Sequence, residues 1–352
     1  MSEDKKNGSQ GEEGWSPESP NESHDAKVAR FQVAKTRSRA VAKYILSDPF
    51  VKTADKPVIK AANLVQECGS FLVFRHYYTI GEYRMAGNHF CSKHLLCAIC
   101  ALRRAAKYLR SYLEKADQVL QENPGCRLVF GTVTVKNGPD LMERFNHLSR
   151  CWRKLVERRR NHKKGLIKQT VLADFLGVVA TYEFTNKGNG WHPHLHFIAL
   201  VDDRFDCGSA AYDLSAEWFD LTGDSHQVDI RNIEGETVED RLKAFVEVFK
   251  YPLKLNDMSV EHQVEAGIKL KGKRLISAFG AFFGVVVPEE LNDEVEDLEL
   301  LPYILIVYRY SEFSGYQIQR HVQVAPGEVP YEPHHENLLT EGLMVQASEL
   351  PY

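Results

Sequence analysis

The chain predicts an α+β fold with a central antiparallel β-sheet and flanking helices, and three observations carry that expectation. Between residues 126 and 251, β-branched runs and amphipathic helical runs follow the order β-α-β-β-α-β-α. Two of the strands are joined by "NKGNG", a turn-rich hairpin loop that makes the pair antiparallel. Near the C-terminus, "YILIVYRY" and "GYQIQRHVQV" read as a further β-hairpin.

Taken in order, residues 1–26 are rich in Ser, Glu, Asn, Gly and Pro, and predict a disordered tail. Residues 27–120 form an N-terminal segment holding a Cys/His cluster and then a helix, "ALRRAAKYLRSYLEKA". The main domain spans 125–255. It opens with the strand "CRLVFGTVTV" (126–135), bounded by Asn137-Gly138-Pro139. A helix follows over about 140–160, where Leu141, Phe145, Leu148, Trp152 and Leu155 recur at helical spacing. The strands 177–185 and 191–201 come next, then a short helix near 211–220 and the strand 227–233. The helix "VEDRLKAFVEVFKY" runs up to Pro252, which ends it. Residues 256–352 hold the apolar run "RLISAFGAFFGVV", an acidic linker and the C-terminal hairpin. There is no internal repeat.

The 352 residues are 43% hydrophobic and 26% charged, which is ordinary for a soluble globular protein. No apolar run approaches the roughly 18 residues of a membrane span. The polar, acidic N-terminus lacks the apolar core of a signal peptide, so the expected location is the cytoplasm. Seven cysteines, an odd number with three clustered, point to reduced thiols and a metal rather than a disulfide framework. The net charge of −4 does not advertise nucleic-acid binding, but its distribution is uneven. Residues 150–168 carry nine Lys/Arg against one Glu, whereas 289–299 carry seven acids and no base. Such asymmetry allows a basic, DNA-facing surface within an unremarkable total.

The stretch "GWHPHLHFIALV" places His192, His194 and His196 at alternate positions of a strand, hence on one face. Symmetric pairing about the middle of "NKGNG" sets Glu183 opposite His194 and Thr181 opposite His196, and opposed residues share a face. Glu183, His194 and His196 therefore form a candidate site for Mg²⁺, Mn²⁺ or another divalent ion with room for a substrate oxygen. The role of His192, nearer the loop and before Pro193, stays open. In the later helix, Glu247 and Tyr251 are four apart and share a face, near Lys250 and Lys254. A tyrosine there can attack phosphorus, and the glutamate can act as a general base for a second attacking group.

"WHPHLHFIALV" followed by "EVFKYPLK" resembles the HUH endonucleases, and within them the rolling-circle plasmid replication initiators with a Glu and a Tyr in one helix. "VFGTVTVKN" (129–137) resembles their first, Thr-rich motif. The similarity spans roughly 90–255 and implies an HUH-type sheet on a ferredoxin/RRM-like plan. It implies His194 and His196 as metal ligands, Tyr251 as the nicking nucleophile and Glu247 as the group that activates water at termination. The metal role of Glu183 rests on the hairpin register. The implied substrate is single-stranded DNA at a plasmid origin in a bacterial host, with the host replicative helicase and DNA polymerase as partners. A single-strand transposase of the same superfamily and a histidine-triad nucleotide hydrolase are the rival enzymes. A non-catalytic origin- or zinc-binding regulator is the third alternative.

"HFCSKHLLCAIC" spaces Cys91, His94, Cys97 and Cys100 three residues apart, as a structural Zn²⁺ site opening the next helix would require. His89 is the alternative to His94. The initiators often carry a Cys-Pro-x-Cys here, and Ala98 stands in place of that Pro. Arg103, Arg104 and Lys107 are expected on an origin-binding surface shaped by the zinc. Trp152, Arg153, Arg158 and Lys250 are the other expected DNA contacts.

Overall fold

The computed structural model describes residues 22–47, 56–167, 169–233, 238–249, 258–298 and 300–325. These form an α+β structure with seven α-helices and two antiparallel sheets among the described residues. Two compact units result, one of residues 94–288 and one joining 22–93 to 289–325. This division differs from the one expected at about 120 and 255. Helix "ALRRAAKYLRSYLEKA" belongs with the main sheet, and the C-terminal hairpin pairs with strands from the N-terminal segment.

The second unit contains α1 (His24–Ser47), α2 (Lys56–Glu67), β1 (Phe71–Tyr77), β2 (Glu82–Met85), β8 (Tyr303–Ser311) and β9 (Gly315–Val324). Its sheet order is β2-β1-β8-β9, and β8 and β9 form the expected hairpin. Helix α1 begins within the expected tail, whose first 21 residues lie outside the described ones. Lys35 of α1 is fully buried. Its ammonium donates to the carbonyls of Gln66 and Cys68, both at 2.8 Å, and so caps the C-terminal end of α2.

The first unit holds α3 (Ala98–Glu122), β3 (Cys126–Thr134), α4 (Leu141–Lys163), β4 (Gly177–Thr185), β5 (His192–Asp202), α5 (Cys207–Thr222), β6 (Val228–Asn232), α6 (Val238–Phe249), α7 (Val260–Lys269) and β7 (Ile276–Gly280). Its sheet order is β6-β3-β5-β4-β7, every pair antiparallel. The apolar run after residue 274 thus supplies an edge strand, and Phe283 beyond it is 73% exposed rather than buried.

Alternation along the strands divides the core between two helical layers. Leu128, Phe130, Val179, Ile198 and Leu200 face α3 and α6, where Leu109, Tyr112, Phe245, Val248 and Phe249 close a single cluster. On the opposite face, Phe145 of α4 meets Tyr182 and Phe184, and Trp152 stacks on Phe197 at 5.8 Å. Trp218 of α5 is fully buried and donates from its indole to the carbonyl of Thr134 at 2.7 Å. Asp140 caps α4 by accepting from the Glu143 amide at 2.7 Å.

Gly131 makes the second face possible. It lies opposite Phe197 across β3–β5, and a Cβ there would stand 2.0 Å from the Phe197 ring. The Phe197 ring covers the glycine and packs between Trp152 and Phe175. Gly131→Ala must push this ring from its place, at a cost of about 1–3 kcal/mol. The expected result is a lowered melting temperature in Gly131→Ala, partly restored by adding Phe197→Leu, as read by thermal unfolding.

Candidate functional site

The β4–β5 hairpin has the register that its loop predicts. Glu183 pairs with His194 and Thr181 with His196. The turn is held by a two-way bridge in which Trp191 donates to Gly138 at 2.7 Å and Gly138 donates to Trp191 at 3.1 Å. Gly190 sits at φ +84, and a Cβ on it would meet the Gly138 carbonyl oxygen at 2.7 Å, so the close approach requires glycine. Trp191 is buried, with His262 of α7 edge-on to it at 5.5 Å.

His196 and Glu183 are both buried, and the imidazole Nε2 lies 3.5 Å from the carboxylate. The other ring nitrogen, Nδ1, is fixed by the hydroxyl of Thr132 at 2.9 Å. Thr132 stands opposite His196 on β3, so the Thr-rich strand aims the imidazole. Helix α6 brings the third group. Its buried Phe245, Val248 and Phe249 anchor it beneath the sheet, and Phe249 stacks on Tyr112 at 5.0 Å. This places the partly buried Glu247 so that one ligand atom each from Glu183, His196 and Glu247 lies within 4.8 Å of the others.

That grouping differs from the expected one. Glu183 and His196 come together as anticipated, but the third member is Glu247, expected to act only as a base. His194 lies next along the same face, its ring parallel to that of His196 at 5.7 Å, outside the group. His192 stacks edge-on against His194 at 4.2 Å, and its Nδ1 is hydrogen-bonded to Asn137. Two carboxylates and an imidazole form a donor set for a divalent ion that prefers oxygen with some nitrogen. Burying such carboxylates is costly without a compensating cation. Tyr251 and Lys250 lie outside the described residues.

The thiols fall as follows. Cys97 directly precedes α3 and Cys100 lies in its first turn, both buried. In the other unit, the amide of Cys91 donates to the sulfur of Cys68 at 3.5 Å. His94 is exposed. Cys68 escaped the sequence reading because it lies 23 residues before Cys91, beyond any Cys-x-x-Cys spacing.

Several expected DNA contacts have other places. Trp152 is 3% exposed and belongs to the core. Arg158 bridges Glu217 and Asp220 of α5. Arg103 and Lys107 are buried, and Arg104 donates to the carbonyl of Pro288 at 2.5 Å. Their helices are amphipathic, and these side chains fall on or beside the buried stripe. Arg153 is exposed, as are Arg150, Lys154, Lys163 and Lys164 along α4, on the side of the sheet opposite Glu183. Among the described residues no helix is long and apolar enough to cross a membrane.

Residues 82–303 match a family described as replication protein. The chain is 30% identical over 232 residues to "Protein rep" of Streptococcus pneumoniae serotype 2, covering 62% of this chain and 68% of that one. A "Protein rep" from Bacillus sp is 29% identical over 223 residues, covering 56% and 68%. A "Replication protein" of Staphylococcus aureus is 23% identical over 206 residues, covering 52% and 82%. No solved structure matches the chain. The family match spans more than half of the chain and includes the whole β4–β5 hairpin with Glu183 and His196, so the chain belongs to the replication protein family.

Proposed function

We propose that this protein initiates rolling-circle replication of a plasmid by nicking single-stranded origin DNA through a 5′-phosphotyrosine intermediate. The gathering of Glu183, His196 and Glu247 on one sheet face carries the reading, because the nucleophile candidate Tyr251 follows Glu247 by four residues. Mg²⁺ or Mn²⁺ held by these side chains, with His194 beside them, would supply Lewis-acid stabilisation of the charge developing on the phosphodiester.

The chain's own groups perform the remaining steps. The Tyr251 hydroxyl oxygen attacks the phosphorus, forming a tyrosyl O–P bond and breaking the bond to the 3′ oxygen. That oxygen leaves with the electron pair, takes up a proton and becomes the 3′-OH from which host polymerase, with the replicative helicase, extends the strand. After one round, Glu247 accepts a proton from an attacking water or strand hydroxyl, and the tyrosyl bond is released. Thr132 holds the orientation of the His196 ring throughout by its bond to Nδ1. Arg153 and the exposed cations beside it on α4 contact DNA phosphates.

Tyr251→Phe is expected to form no covalent adduct with a labelled single-stranded origin oligonucleotide in Mn²⁺. Glu247→Ala is expected to form the adduct at raised Mn²⁺ and to release it slowly, since one carboxylate is asked to do two jobs. Adduct mapping on a denaturing gel checks both. An adduct on Tyr182 or Tyr212 would overturn the assignment.

The zinc set proposed is Cys91, Cys97 and Cys100 with His94 or His89, and the three-residue spacing of the cluster in the sequence supports it. Metal analysis of the purified chain should find about one zinc. Cys97→Ser with Cys100→Ser should lose it; a wild-type chain that holds no zinc when the metal is supplied overturns the set.

A further inference from the structure

The metal face carries two carboxylates, Glu183 and Glu247, yet its proposed substrate is a polyanion. One divalent ion offsets those two charges and leaves nothing to hold the phosphates on either side of the reacting one. A cation fixed beside Glu183 would supply what is missing, and the edge of the sheet provides one.

Strand β7 pairs with β4 in a register that sets Thr181 opposite Ile276. The pairing continues past the strand's end, because the Tyr182 amide donates to the Leu275 carbonyl at 2.9 Å. One step further puts Arg274 opposite Glu183, and opposed residues of an antiparallel pair project to the same face. Arg274 therefore stands on the metal face. The phenol of Tyr112, on the helix covering that face, agrees: burial and the neighbouring Tyr108 raise its pKa, and the charge of Arg274 opposes them.

Arg274 is exposed, and its Nε donates to the carbonyl of Ile276 at 3.1 Å, which steadies the guanidinium. Gly272, at φ +76, turns the chain just before it and is flanked by exposed Lys271 and Lys273. Among the described residues none of these three cations forms an ion pair, in contrast to Lys269, which pairs with Glu265 and Asp140.

We propose that the turn Lys271–Arg274 is a phosphate-binding clamp for single-stranded DNA, with Arg274 gripping a phosphate next to the one that reacts at Glu183, His196 and Glu247. The planar guanidinium suits a phosphate better than an ammonium does, so Arg274 gives position while Lys271 and Lys273 add charge. The proposal rests on the nicking reading, and its test separates the two.

Binding of a fluorescent single-stranded oligonucleotide is measured in EDTA, where no cleavage occurs, for the full chain and for Arg274→Gln, Arg274→Lys and Lys271→Gln/Lys273→Gln. Arg274→Gln should weaken binding about tenfold and lower the steepness of the salt dependence by about one lost phosphate contact. Arg274→Lys should restore most of the affinity but not the nicking rate in Mn²⁺, because charge returns and the fork geometry does not. The lysine pair variant should lower affinity and flatten the salt dependence, with a smaller loss at low salt than Arg274→Gln gives. A neutral methylphosphonate, moved one position at a time along the strand, should weaken wild-type binding most at one place and add nothing there in Arg274→Gln. Equal affinity of Arg274→Gln and wild type, or unchanged sensitivity to every methylphosphonate, overturns the clamp. Absence of nicking by the wild type alone overturns the nicking reading and leaves the binding result to stand.

Discussion

The pairing of β4 with β5 is the constraint on which the rest of the site depends. Side chains alternate along a strand with a period of two, so a slip of one residue would move Glu183 to the far face while His196 stayed. The turn prevents that slip. Its glycine at 190 lets the backbone close on Gly138, and the two-way hydrogen bond with Trp191 locks the loop to the end of β3. The same strand β3 then presents Thr132 to the His196 ring. One short loop thus sets the position of a carboxylate, an imidazole and the group that orients it.

The sheet has different tasks on its two faces. Towards α4 and α5 it is aromatic and closely packed, with Phe197 filling the space above Gly131. Towards α3 and α6 it is apolar at one end and carries Glu183, His194 and His196 at the other. The apolar end anchors α6 through Phe245, Val248 and Phe249, and a rigid helix then delivers Glu247 to the polar end. Packing energy is thereby used to hold like charges, Glu183 and Glu247, close enough to share one cation. The family match at 82–303 contains this hairpin whole.

Much of this was legible in the residues. The alternation of "HPHLHFIALV", the length of "NKGNG" and the β-branched strands determine the register, and the structure reproduces the pairing of Glu183 with His194. What was not legible depends on long-range contacts. Glu247 reaches the site only because α6 docks as a whole, which no local spacing encodes. Cys68 has no neighbouring cysteine in sequence, and its approach to Cys91 follows from the path of β1 and β2. By its sequence position Trp152 suits both a helix core and a DNA contact, and burial decides for the first. In the basic run of α4, sequence shows charge but not that Arg158 is already committed to Glu217 and Asp220. Helix α1 shows no clean apolar stripe in the sequence, because its buried face includes Arg30 and Lys35.

The central claim is that Glu183, His196 and Glu247 hold one divalent ion. Electron paramagnetic resonance titration of the DNA-free chain with Mn²⁺ tests it most directly, since no cleavage step intervenes. The account predicts one Mn²⁺ site in the wild type, weakened about tenfold or more in Glu183→Gln because a charged ligand becomes neutral. Equal Mn²⁺ affinity in wild type and Glu183→Gln, with the fold intact by circular dichroism, would contradict it.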